Sequence, residues 1–162
     1  MSDDAHAATF ASAAGGQFLT FTLLNEEYGI EILKVQEIKG FSKITPIPNA
    51  PPYVKGVMNL RGTVVPVVDL RSRFALEEKD YDRFTVIIVV NVGTRVVGLV
   101  VDTVSDVLDI PAGSIAEPPE LAGSVDSSCI TGMGKLDERM VMLLDVSRLV
   151  GLDLPHAEGL AS

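Results

Sequence analysis

The sequence predicts a mainly β fold of many short strands, arranged as barrels or a sandwich, with helix confined to short segments and an internal repeat that would make two similar small barrels. Three observations lead there. Apolar and polar residues alternate in short runs bounded by turn residues, as in Leu19-Thr20-Phe21-Thr22-Leu23. Apolar runs that end in Asp69 and Asp145 are followed by only one helical turn each, Leu70 to Phe74 and Val146 to Val150, with the aspartates as N-caps. The chain also resembles itself. Residues 56–74 slide onto 132–150 without gaps, an offset of 76, and Gly56, Leu60, Val65 and Asp69 fall on Gly132, Leu136, Val141 and Asp145.

Residues 1–16, rich in Ala, Ser and Gly, read as a flexible N-terminal arm, with order starting near Gln17. A first hairpin runs through Leu19, Phe21 and Leu23, turns at Asn25-Glu26-Glu27 and returns through Tyr28, Ile30 and Ile32. The proline-punctuated stretch from Thr45 to Pro52 cannot form regular ladders and is expected to be a structured connection. Gly56 to Leu60 and Thr63 to Val68 form a hairpin about Arg61-Gly62. Phe84 to Asn91 with Arg95 to Val101 form another; Val104 to Ile110 is a further strand, and Ile130 to Leu136 with Arg139 to Leu144 make the last hairpin. An offset of 69 carries Tyr28-Gly29-Ile30 onto Val97-Gly98-Leu99 and Val35-Gln36-Glu37-Ile38 onto Val104-Ser105-Asp106-Val107, so the units recur in the same order. Each half is marginal in size, so an interface between them is expected to carry much of the stability. Residues 17–151 hold both subdomains and 152–162 form a C-terminal tail.

At 162 residues and 47% hydrophobic content the chain can bury a core. Its net charge of −9 repels phosphate backbones and anionic lipid, which argues against nucleic acid and against adsorption to a membrane. The single Cys129 reads as a small buried hydrophobe in a reducing cytoplasm. An acidic start and short apolar runs leave no signal segment or spanning helix, which predicts a soluble intracellular protein. Gly134-Lys135 is followed by Leu136 and preceded five positions earlier by Cys129, so no P-loop forms; Gly132-Met133-Gly134 lacks the last glycine of a dinucleotide fingerprint. His6 and His156 lie in tail-like segments, away from any triad or metal site. Asp102 with Asp106, or Asp137 with Glu138, are the candidate carboxylate pairs, and solvated surface accounts for them better.

Core building leaves one group unexplained. Strand alternation puts Val57, Asn59 and Arg61 on one face and Met58 and Leu60 on the other. Arg61 falls on Asp137 and Asn59 on Lys135 in the repeat, while Glu37 keeps an acidic counterpart in Asp106. Arg61 is either a solvated turn residue or a guanidinium held by Glu37 beside Val35 and Ile38, a polar anchor in an apolar patch for a partner.

The blocks Phe18 to Leu23, Tyr28 to Ile38, Pro48 to Pro51, Val54 to Arg71 and Val96 to Leu108 resemble, in order, the CheW-type coupling proteins of bacterial chemotaxis. The resemblance covers roughly residues 17–151. It implies two intertwined five-stranded SH3-like barrels, no enzymatic activity and no cofactor or metal. It also implies a freestanding cytoplasmic adaptor, recruited to membrane-associated arrays without inserting in the membrane. Its partners would be the cytoplasmic hairpin tip of transmembrane chemoreceptors and the regulatory domain of the CheA histidine kinase, with contacts between CheW copies in the array. By motif, Glu37 and Arg61 match the family's paired charges, and Val35, Ile38, Gly56 and Asn59 match positions lining or supporting the receptor-binding groove; the repeat partners Gly98 and Val107 complete it. The glycines there would admit close approach of a backbone. Two rivals predict different features: a small-molecule-binding β-barrel, a fused interior pocket; a carboxylate hydrolase, a raised carboxylate pKa in a cleft.

Overall fold

The computed structural model describes residues 15–77, 79–117 and 129–150. Eleven strands among the described residues form two sheets. The first barrel takes β3 (Val35–Gly40), β4 (Val54–Leu60), β5 (Thr63–Asp69), β6 (Val86–Val92) and β7 (Arg95–Val101), in the order β3-β6-β7-β5-β4. The second takes β1 (Gly15–Leu23), β2 (Glu26–Glu31), β8 (Thr103–Pro111), the two-residue β9 (Ile115–Ala116), β10 (Ile130–Leu136) and β11 (Arg139–Leu144), in the order β8-β1-β2-β11-β10-β9. Two short helices, α1 (Leu70–Arg73) and α2 (Val146–Val150), follow β5 and β11. Asp69 caps α1, accepting from the Arg71 and Ser72 amides, and Asp145 does the same for Ser147 and Arg148.

The duplication is present in the pairing itself. Gly98 pairs in parallel with Val67, and its repeat mate Gly29 pairs in parallel with Leu143. A register shift at Val54/Gly56 recurs at Ile130/Gly132. Thr45, in the proline-rich connection, bridges to Val57 as Ala116 does to Met133. The halves have exchanged their leading hairpins: β6 and β7 sit beside β3 and β5 of the first half, while β1 and β2 sit beside β8 and β11 of the second. The first barrel is therefore one continuous stretch, 35–101, and the second is assembled from both sides of it. The chain passes between them at the 3-10 turn Ile32–Lys34 and at Asp102.

Exchange places the main core between the barrels. One apolar cluster joins Leu19, Phe21, Tyr28 and Ile30 of the second barrel to Val68, Phe74, Ile88, Val90 and Leu99 of the first, and to Leu144 and Leu149. The barrel interiors are smaller and filled by side chains: Met58, Leu60, Val65, Val67, Ile87, Val89 and Val100 in one, Phe18, Ile110, Val141 and Leu143 in the other. Arg73 ties α1 to α2, donating from Nε to the Leu149 carbonyl at 2.8 Å, and lies over the Tyr53 ring.

Two expected boundaries shift. The first turn is Leu24-Asn25, with φ of 50° and 67°, so Glu26 and Glu27 belong to β2. Both central residues of a two-residue hairpin turn take positive φ because that twist matches the flanking strands. Gly15 and Gly16, counted with the arm, start β1 opposite Pro111 and Ile110. Residues 1–14 of the arm and the tail 152–162 lie outside the described residues. No helix among the described residues is long and apolar enough to cross a membrane.

Candidate functional site

The site begins at the crossing into the first barrel. Strand β3 is an edge strand, paired with β6 only, and its register slips between Val35 and Glu37. Val35 packs half-buried against the inter-barrel core. Ile38 stands opposite Ile88, a member of that core, yet is 45% exposed. Cross-strand partners share a face, so Ile38 lies at the open rim of the seam between the barrels.

Glu37 accepts from the Arg61 guanidinium at 2.6 Å. The pair links strands at opposite edges of the five-stranded sheet, where the barrel closes. Arg61 occupies the β4–β5 turn with φ of 50°, beside Gly62 at 88°. Asn59 locks this turn, its side-chain oxygen accepting from the Gly62 amide at 2.8 Å. The hydrogen bond from Arg61, aided by its charge, holds the Glu37 carboxyl below its ordinary pKa, and the same contact raises that of Arg61. Arg61 remains 67% exposed, so the pair is fixed in place but open to a partner. As alternation predicts, Met58 and Leu60 are buried and Asn59 is exposed.

Val107 repeats Ile38 in the second barrel. It stands on the edge strand β8 opposite Leu19 of the inter-barrel core, 49% exposed, beside the equivalent register shift. Asp106 takes the place of Glu37, but its arginine is not the repeat partner of Arg61. Arg139, two residues past Asp137, bonds Glu27 through Nε at 3.0 Å and a terminal nitrogen at 2.6 Å, and reaches Asp106 at 3.2 Å. Sequence comparison missed Arg139 because it sought the arginine at the aligned position; the usable signal was an acidic residue kept at 106 without one.

The two glycines face inward. Gly56 has φ of +147°, and a Cβ there would sit 2.0 Å from the Thr45 carbonyl oxygen. Gly98 lies in the first barrel's interior, where a Cβ would be 3.0 Å from Ile87 and 3.3 Å from Met58. Each allows a close approach within the chain itself, supporting the site from behind. Cys129 is buried, with an Arg73 nitrogen 3.6 Å from its sulfur.

Of the carboxylates named as pairs, Asp102 and Asp106 are separately engaged. Asp102 receives Arg71 through Nε at 2.7 Å and through a terminal nitrogen, and accepts from the Leu24 amide. Burial pushes its pKa up, but the hydrogen bonds from Arg71 and Leu24 and the Arg71 charge outweigh this and leave it below the ordinary value. Asp106 belongs to Arg139. Among the described residues no three His, Cys, Asp or Glu side chains gather as a metal site. The arrangement offers surface rather than catalytic chemistry: an exposed apolar side chain on the edge strand of each barrel, next in sequence to a carboxylate held by an arginine.

Residues 17–153 match the CheW-like domain model. The chain is 54% identical over 136 residues to the chemotaxis protein CheW of Klebsiella aerogenes, covering 84% of this chain and 82% of that one. It is 37% identical over 141 residues to the chemotaxis protein CheW of Rhizobium meliloti, covering 87% and 91%. In three dimensions it matches the scaffolding protein TtCheW of Thermoanaerobacter tengcongensis with a TM-score of 0.79 and 32% identity, over 86% of this chain and 94% of that one.

Proposed function

Because the chain belongs to the CheW-like domain family, we propose that it is a chemotaxis adaptor that joins the cytoplasmic hairpin tip of transmembrane chemoreceptors to the regulatory domain of the CheA histidine kinase. The observation that carries the reading is the exposed Glu37–Arg61 pair beside the apolar rim residue Ile38. A receptor tip is a helical hairpin, and helices dock by laying an apolar face in a groove. Ile38 and Val107 supply apolar area from the two barrels, and Val35 backs Ile38 from the core. Arg61 and Glu37 give direction and register, since charges at a rim steer and select more than they add affinity. Asn59, Gly56 and Gly98 hold the frame. The adaptor works in the cytoplasm, at arrays in which contacts between copies extend the lattice.

Co-sedimentation with receptor-containing membranes, with and without the kinase, tests this. The native chain is expected to pellet with receptor and bring the kinase down, and Arg61→Glu to stay folded and remain in the supernatant. Failure of the native chain with several receptors from its own cell would sink the coupling function.

A further inference from the structure

The repeat has an unequal electrostatic design. In the first barrel the acidic residue before the exposed apolar side chain is held by one arginine from a turn, 67% exposed. In the second, Asp106 is held from three directions. Its backbone amide donates to the Thr20 hydroxyl at 3.1 Å, and that hydroxyl donates back to its carbonyl at 3.1 Å. Thr20 is fully buried. The Asp106 carboxylate meets Arg139, whose guanidinium is already anchored on Glu27. Arg139 thus stands on β11, grips β2 beside it and reaches β8, at the far edge of the same sheet beyond β1. An edge strand at a register slip has its ladder locally disrupted and one side unpaired; here the slip is pinned at the residue next to Val107.

We infer that Arg139 is a positioning residue for the partner surface: by tying Asp106 to Glu27 it fixes the slipped segment of β8 and so sets where Val107 meets the partner. Being tied to two carboxylates, Arg139 acts through Val107 rather than by touching the partner. The inference rests on the adaptor reading for its binding consequence, though not for its geometry.

Two measurements test it. Carbon-13 methyl spectra of Val107 in the free protein are expected to shift and broaden in Arg139→Gln, with the melting curve remaining cooperative. Titration onto receptor-containing membranes is expected to show about five- to tenfold weaker binding for Arg139→Gln, as for coupled neighbours. In a Val107→Ala background the same substitution is expected to cost nothing further. An equal loss in both backgrounds, unchanged affinity or an unmoved Val107 methyl signal would overturn the inference. Should Arg139→Gln unfold, Asp106→Asn keeps the side-chain shape while loosening the grip, and carries the same cycle. If the native chain binds no receptor, the adaptor reading falls alone, and the methyl signals still decide whether Arg139 sets the position of Val107.

Discussion

Replacing Gly56 by alanine separates a residue that supports the fold from one that faces a partner. At φ of +147° an L-residue is strained, at a cost of about 1–3 kcal/mol for such a sparsely populated conformation. The added Cβ would also stand 2.0 Å from the Thr45 oxygen and 2.9 Å from the Pro46 Cα, both main-chain atoms that cannot swing aside. Retreat of that segment breaks the Thr45–Val57 bridge, two hydrogen bonds of 2.8 and 2.9 Å, for a further ~1–3 kcal/mol at ~0.5–1.5 each. The sum is about 2–6 kcal/mol, and with ~2–4 °C per kcal/mol at this chain length, a mid-range loss of about 4 lowers the melting temperature by roughly 8–16 °C. Urea and thermal unfolding followed by circular dichroism measure it. Gly40→Ala, where a Cβ meets nothing within 4 Å, is the control and should be neutral. A Gly56→Ala protein as stable as the native chain but unable to bind receptor would refute the reasoning, since the glycine would then be needed by the partner.

Arg61→Glu should leave the unfolding curve in place while abolishing receptor pelleting, and adding Glu37→Arg restores binding only if the two charges act by pairing with each other; no rescue means that one of them touches the partner. Arg73→Ala should lower stability by about 1.5–3 kcal/mol, the range for a hydrogen bond to a charged group, because the Leu149 carbonyl loses its donor; an unmoved urea midpoint would show that the bolt between α1 and α2 contributes nothing. Asp102 has a folded pKa below its ordinary value, so its stabilisation is complete above the unfolded carboxylate range and fades as the pH falls through the folded pKa. The stability gap between the native chain and Asp102→Asn should therefore be widest near neutrality and close on acidification, and a gap independent of pH would exclude this linkage.

Local pattern was legible wherever a strand and its partner are neighbours in sequence. The hairpins around Arg61-Gly62, between β6 and β7, and between β10 and β11 all lie where alternation places them, and both aspartate caps were readable from the apolar runs they end. Strand β3 was not singled out as a strand, because only a few of its positions alternate and its partner β6 starts at Val86. The repeat disclosed the order of units but not which barrel each unit joins, since exchange conserves order. The same limit hid Arg139: its contact with Glu27 spans 112 positions and exists only because β2 lies against β11. The first turn was misplaced because Leu24, a residue with no turn signature, takes the positive φ. In the site, Arg61 and Glu37 were legible as a pair, whereas the inward orientation of Gly56 and Gly98 needed the neighbouring backbone and core atoms.

The exchanged hairpins also set a timetable for the ribosome. Gly29 pairs with Leu143, so residues that emerge early wait for a partner 143 − 29 = 114 positions downstream, about 6–23 s at ~5–20 residues per second. The continuous stretch 35–101 can close as soon as it clears the exit tunnel. Until the first barrel has closed, the nascent N-terminal hairpin displays Leu19, Phe21, Leu23, Tyr28 and Ile30, which share a core with it in the finished molecule, and the edge of β2 that takes β11 stays open for the whole interval. A newly made chain is thus a candidate client for chaperones that shield apolar nascent segments until its last hairpin is translated.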